Sequence, residues 1–268
     1  MGWSFTNDCK LSLKQRSTLL QLGSFSADRR GGQSWGTLIV DDNGLPVVEK
    51  GMGPLIQIDF EKLASAQMGY AHSRYATRGK INLKNSHPFE YGNIIGAHNG
   101  VISNAAELDH IYGRKEVDSE HIFERISEKE GLSKFRGYGV IEFYDKEVPN
   151  ALFLANIGNG DVTLFEIEND TKSHTEAFYW TSLMEDGELA LAGAGIKDFE
   201  SYELTEGTVF KFVKGENCLY SLESKLRVKP NKRQFKNERI NFLFPEIISE
   251  EKEETDDAWK LWRDKYDV

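Results

Sequence analysis

Cysteine is scarce in this sequence: 268 residues carry two, Cys9 and Cys218, far apart and fitting no metal-ligand spacing. That scarcity predicts neither a disulfide framework nor a zinc site, and it points to a reducing, cytoplasmic compartment. Long apolar runs are missing too. None approaches the roughly 18–20 residues that a membrane span requires, and no secretory apolar stretch opens the chain. Positive charge is in deficit, with 33 Lys and Arg against 43 Asp and Glu, a net −10 at pH 7. That balance argues against non-specific binding to nucleic acid. Neither a glycine-rich phosphate loop nor a metal cluster is visible, so no cofactor and no metal are expected. What remains, 28% charged and 39% hydrophobic, fits a globular chain long enough for one large domain or two small ones.

Short strands dominate the first 220 residues. Thr37–Val40 and Pro46–Glu49 flank Asp-Asp-Asn-Gly, a hairpin signal because Asn-Gly tolerates the positive φ of a tight turn. Leu11–Leu22 carries its leucines on one helical face, and Ser119–Glu130 predicts a second helix with acidic residues at its start. From Gly139 to Phe212, β runs such as ALFLANI and VTLFEI alternate with turn signals such as GNGD. The division predicted is a domain over 1–225 and a charged tail over 226–268. The tail runs from a basic segment through an acidic spacer to Trp259, Trp262 and Tyr266, an aromatic stripe on a short helix. Such a stripe either packs back on its own domain or docks on a partner protein.

The chemistry concentrates between residues 69 and 120. Asn93–Ala97 predicts a small buried strand that runs into an exposed His98-Asn99-Gly100 corner. Asn99 offers a side-chain amide and Gly100 a backbone N–H with no Cβ in the way, the donor pair that stabilises an oxyanion. Arg74 is a planar, permanently charged fork suited to a carboxylate, with the Thr77 hydroxyl near it in sequence. Asp118 could receive an ammonium group. His72 and His87 lie in the same stretch. Singly, each has a plainer reading: a surface arginine, an ordinary turn, a satisfied histidine. Their order carries the argument.

That order, HSRYATRG (72–79), NSHPF (85–89), AHNGVISN (97–104) and VDSE (117–120), resembles the class II glutamine amidotransferase domain of the N-terminal nucleophile (Ntn) hydrolases. RRGGQSWG (29–36) is similar to that family's Arg-Gly-x-Asp-Ser-x-Gly segment, with Gln33 in place of the acid. GYGVIEFYD, YWTSLMEDGELAL and ELTEGTVFKF resemble its closing strands, so the likeness spans roughly residues 2–214. The resemblance implies an α+β fold, a four-layer αββα sandwich of two antiparallel sheets. It implies glutamine as ligand, its α-carboxylate on Arg74 with Thr77 and His87 nearby, its α-ammonium on Asp118, and Asn99 with Gly100 as oxyanion hole. In an active form the product ammonia would pass to a partner enzyme, with the tail as docking element. Arg78 stands where the family commonly has His.

The family's nucleophile is a cysteine exposed as residue one, whose own amine acts as base. Here the chain reads MGWSFTNDCK, and the cysteine expected at the position of Gly2 is missing. Three readings follow: a binding protein without the glutaminase step; exposure of Cys9 by cleavage after Asp8; or, third, either a different nucleophile such as Ser4 or an altered N-terminus whose natural form is active. MGWSFT also satisfies the loose myristoylation pattern, but Trp3 is a poor fit and a first strand is the better owner of these residues.

Overall fold

The Asp-Asp-Asn-Gly turn forms as its residues dictate. Asp41 Oδ1 accepts from the amides of Asn43 (2.9 Å) and Leu45 (2.8 Å), and Gly44 takes φ +78°. It joins β2 (Ser34–Val40) to β3 (Pro46–Met52) in the computed structural model, which describes residues 1–169, 171, 174–216, 219–223, 226 and 228–229. Before the hairpin come β1 (Gly2–Phe5) and α1 (Leu13–Arg30); after it come α2 (Phe60–Ser65) and β4 (Met68–Arg74). Next are β5 (Phe89–Tyr91), β6 (Ile94–Ile102), α3 (Ala105–Tyr112) and α4 (Ser119–Ser127). The chain continues through β7 (Gly137–Asp145), β8 (Ala151–Gly158), β9 (Thr163–Glu168), β10 (Thr175–Thr181) and α5 (Met184–Gly193). Last are β11 (Phe199–Glu203), β12 (Thr208–Val213) and β13 (Leu219–Glu223).

These strands make two antiparallel sheets. One has seven strands in the order β11-β9-β10-β1-β4-β2-β3, the other six in the order β13-β12-β8-β7-β6-β5. Three apolar clusters map the layers. Trp3, Phe5, Leu19, Leu63, Tyr179 and Leu191 join α1, α2 and α5 to the outer face of the seven-stranded sheet. Leu108, Ile122, Phe123, Ile141 and Phe153 join α3 and α4 to the outer face of the other sheet. Leu38, Tyr70, Ile95, Leu154, Phe178 and Phe212 fill the gap between the sheets. Three interfaces mean four layers, and the αββα sandwich expected from the sequence is the fold.

Strand alternation builds this arrangement. In β10, Ala177 and Tyr179 face the helices while Phe178 and Trp180 face the other sheet. All eight residues of β8 are buried, as expected of a strand covered on both faces. Trp3 and Trp180 each bury roughly 150–250 Å². At about 25 cal/mol per Å², each contributes about 4–6 kcal/mol before entropy is counted.

Helix α1 begins at Leu13 because Ser12 caps it reciprocally with Gln15, and it runs on to Arg30, well beyond the expected Leu22. The extension passes Gly23, where a Cβ would lie 2.2 Å from the Tyr179 hydroxyl and 2.7 Å from Met1 Sδ. The second expected helix is α4, ending at Ser127. Most of the tail, including the aromatic stripe, lies outside the described residues. No helix among the described residues is long and apolar enough to cross a membrane.

Candidate functional site

A cavity of about 260 Å³ opens where the ends of β4 and β10 face β6 and β7 across the sandwich. Ligand pockets run about 300–1,000 Å³, so this space suits a small metabolite. Its lining includes Met1, Arg74, Thr77, His87, Asn99, Gly100 and Asp118. Residues spread over more than a hundred positions therefore meet in one place.

Period-two alternation delivers them. Met68 and Tyr70 of β4 point into the gap between sheets, and His72 and Arg74 continue on that side into the cavity. Arg74 is 2% exposed. Its Nη2 donates to the Arg78 carbonyl at 2.8 Å, which fixes the fork on the loop that follows. Burial pulls its pKa down, and the negative charges of Asp118 and Glu116 pull it back. Thr77 lies on the exposed rim.

The His98-Asn99-Gly100 corner does not exist as a corner. β6 runs unbroken from Ile94 to Ile102 and pairs with β7 along its whole length. The polar residues stay in the strand because each finds a partner: His98 Nδ1 lies 3.0 Å from Ser119 Oγ, and Asn99 Nδ2 donates to Ser182 Oγ at 2.9 Å. At Gly100 a Cβ would meet the Tyr138 carbonyl at 2.2 Å and His98 Nε2 at 2.7 Å, so no side chain fits. Asp118, immediately before α4, is 3% exposed, and its Oδ2 accepts the Ile102 amide at 2.8 Å. That bond ties the carboxylate to the end of β6.

Three imidazoles form one wall. His72 and His87 pack with their rings tilted at 58° and centroids 4.2 Å apart, and His87 also meets the Phe89 ring edge-on at 4.7 Å. Neither nitrogen of His87 has a hydrogen-bond partner, nor has His72 Nδ1 or His98 Nε2. Burial, joined by the charge of the Met1 amine, pushes His72 down to about 3. Burial also lowers His87 and His98, so all three rings are neutral near pH 7.

The position expected to hold the nucleophile needs correction. Gly2 lies in β1 between Trp180 and Tyr70, and a Cβ there would fall 2.2 Å from Trp180 Cζ2. The residue that reaches the cavity is Met1. Its amine donates to the Ala71 carbonyl at 3.0 Å and stands 3.8 Å from Glu142 Oε1. No cysteine is among the described residues that line the cavity. Cys9 lies beyond the other end of β1, where burial raises its pKa, and cleavage before it would remove the central strand β1. Ser4 is a buried β1 residue and is not in the lining. Arg78 turns away from the cavity to Asp109 and the Lys115 carbonyl.

Glu142 is a lining residue that sequence reasoning missed. It belongs to β7 and takes the apolar phase between Val140 and Tyr144, both in the core between the sheets. A charged residue in that phase of an otherwise apolar strand was the available signal.

No protein-family model matches the chain. A glutamine–fructose-6-phosphate aminotransferase (isomerizing) of Pyrobaculum aerophilum is 33% identical over 162 residues, covering 51% of this chain and 26% of that protein. The amidophosphoribosyltransferase of Mus musculus is 37% identical over 100 residues, covering 34% and 19%. The chain thus spans about a quarter or less of the length of these relatives. Among solved structures, the allosteric regulatory enzyme of purine biosynthesis aligns with TM-score 0.56 at 16% identity, over 83% of this chain and 48% of that one. The glutamine phosphoribosylpyrophosphate amidotransferase from B. subtilis gives 0.55 with the same identity and coverage. The structural likeness speaks for the fold, and the partial sequence matches are to glutamine-using amidotransferases, so this chain resembles the class II glutamine amidotransferase domain of the Ntn hydrolases.

Proposed function

We propose that the cavity binds glutamine and that the chain, as it stands, holds it without hydrolysing it. One observation carries the reading. Arg74 and Asp118, both nearly fully buried, line the same cavity as Asn99 and Gly100. A buried cation and a buried carboxylate in one small space match the two charges of an α-amino acid and would be costly without such a ligand. Arg74 takes the α-carboxylate, Asp118 the α-ammonium through the oxygen not given to Ile102, and Thr77 and His87 border the amino-acid end. Asn99 and Gly100 lie at the side-chain end. Asn99 releases Ser182 when it turns to the ligand.

The hydrolytic step needs a nucleophile, and the thioether of Met1 is not one. Neutral imidazoles could relay protons but have no thiol or hydroxyl to activate at residue one. A form of the domain with cysteine at that position would release glutamate and ammonia, the latter to an acceptor on another protein.

The test is a thermal melt with millimolar glutamine. A ligand at about a hundred times its Kd adds about 2.7 kcal/mol to stability. Arg74→Ala is expected to abolish the shift. A wild-type melt unmoved by glutamine would overturn the reading.

A further inference from the structure

Glu142 is a carboxylate placed inside the sandwich where its strand calls for an apolar side chain. It lies directly opposite Ala97 of β6, and Val140 lies opposite Asn99. Along β6 the step from Asn99 to Ala97 is one pleat inward, about 6.5–7 Å. Glu142 therefore lines the cavity at its interior end, beyond Asn99 as seen from Arg74 at the tip of β4. One oxygen, Oε1, accepts Trp180 Nε1 at 2.8 Å and faces the Met1 amine at 3.8 Å. Trp180 is fully buried and stacks on Phe212 with centroids 4.6 Å apart, so the carboxylate is held from a rigid side. Burial raises its pKa, while the Met1 amine and the Trp180 donor pull it down.

An acceptor fixed at the deep end of a pocket selects what the far end of a ligand can carry. A carboxamide brings N–H donors, and a carboxylate brings only acceptors and a second negative charge. On the reading of the cavity as a glutamine site, we infer that Glu142 is its specificity determinant, accepting the ligand's amide N–H and excluding glutamate. The Met1 amine sharpens the contrast. With Glu142 in place its charge is balanced; with Glu142 neutral it would attract the glutamate side chain.

The experiment is calorimetric titration of the full chain with glutamine and with glutamate, repeated on Glu142→Gln and on Arg74→Ala. The wild type is expected to prefer glutamine by tenfold or more. Glu142→Gln is expected to narrow that ratio at least tenfold, and Arg74→Ala to weaken both ligands together. A wild type indifferent between the two overturns the inference without any variant, which guards against a Glu142→Gln chain that does not fold. An unchanged ratio in a folded Glu142→Gln overturns it too and leaves Glu142 a structural partner of Trp180. If the wild type binds neither ligand, the glutamine reading itself falls and takes this one with it.

Discussion

Replacing Gly2 by alanine adds one methyl group at the most crowded point of β1. The new carbon would stand 2.2 Å from Trp180 Cζ2, 2.4 Å from Cε2 and 2.7 Å from Nε1. No real Cβ tolerates such contacts, so the indole has to move. It has little room, being 1% exposed and stacked on Phe212 at 15° between ring planes. Overpacking of a filled core costs about 1–3 kcal/mol. Displacing the indole also strips Glu142 of its Nε1 donor, about 1–3 kcal/mol more for a buried group left short of a partner. Taking about 3 kcal/mol, the melting temperature should fall by about 6–12 °C at this size. Chemical denaturation followed by intrinsic fluorescence would give the free energy directly. Because the cost runs through the indole, Gly2→Ala with Trp180→Phe should lose less than the sum of the single losses. A Gly2→Ala protein melting within a degree of the wild type would refute the reasoning, and with it the argument that Met1 and not Gly2 is the position from which the start of β1 presents a side chain to the cavity.

Cysteine in place of Met1, behind an initiator methionine that is removed, is expected to release glutamate from glutamine, and the unaltered chain to release none; release by the unaltered chain would show a nucleophile elsewhere. A second expectation concerns acid stability. Burial pushes the Asp109 carboxyl up, but the Lys115 amide, His121 and Arg78 outweigh it and hold it at about 2, below its ordinary 3.8. A depressed carboxylate stabilises the fold above its unfolded pKa, so this contribution is present above about pH 4 and is lost as the pH falls toward about 2. Asp109→Asn should flatten the denaturation midpoint across that window, and an unchanged acid limb would speak against the network.

Much of the site was legible because its residues are motif residues whose chemistry follows from their type. Arg74, Asn99, Gly100 and Asp118 come together as the order of their segments implied. The shape of the Asn99 stretch was not legible. His98-Asn99-Gly100 looks like a turn by composition, and it remains a strand because Ser119 and Ser182, remote in sequence, satisfy its polar groups. Which residue of the chain start reaches the cavity was not legible for a similar reason. Counting from the start of the chain favoured Gly2, and only the position of Trp180, far along the sequence, forbids it. Glu142 is masked by the hydrophobic content of its strand, and only its phase between Val140 and Tyr144 marks it as facing the interior. The layers came through intact, since alternation along strands is written locally even when the pairing is not.

The cavity has one wall on each sheet, and each sheet closes its hydrogen-bond ladders within itself. Arg74 belongs to the seven-stranded sheet, while Asp118 is fastened through Ile102 to the six-stranded one. A small molecule gripped by both works as a rivet through two plates, loaded in shear whenever the plates slide. Ligand occupancy and the sliding of one plate on the other are then the same mechanical variable, and a substitution at the Trp180–Phe212 stack would be felt as a change of grip.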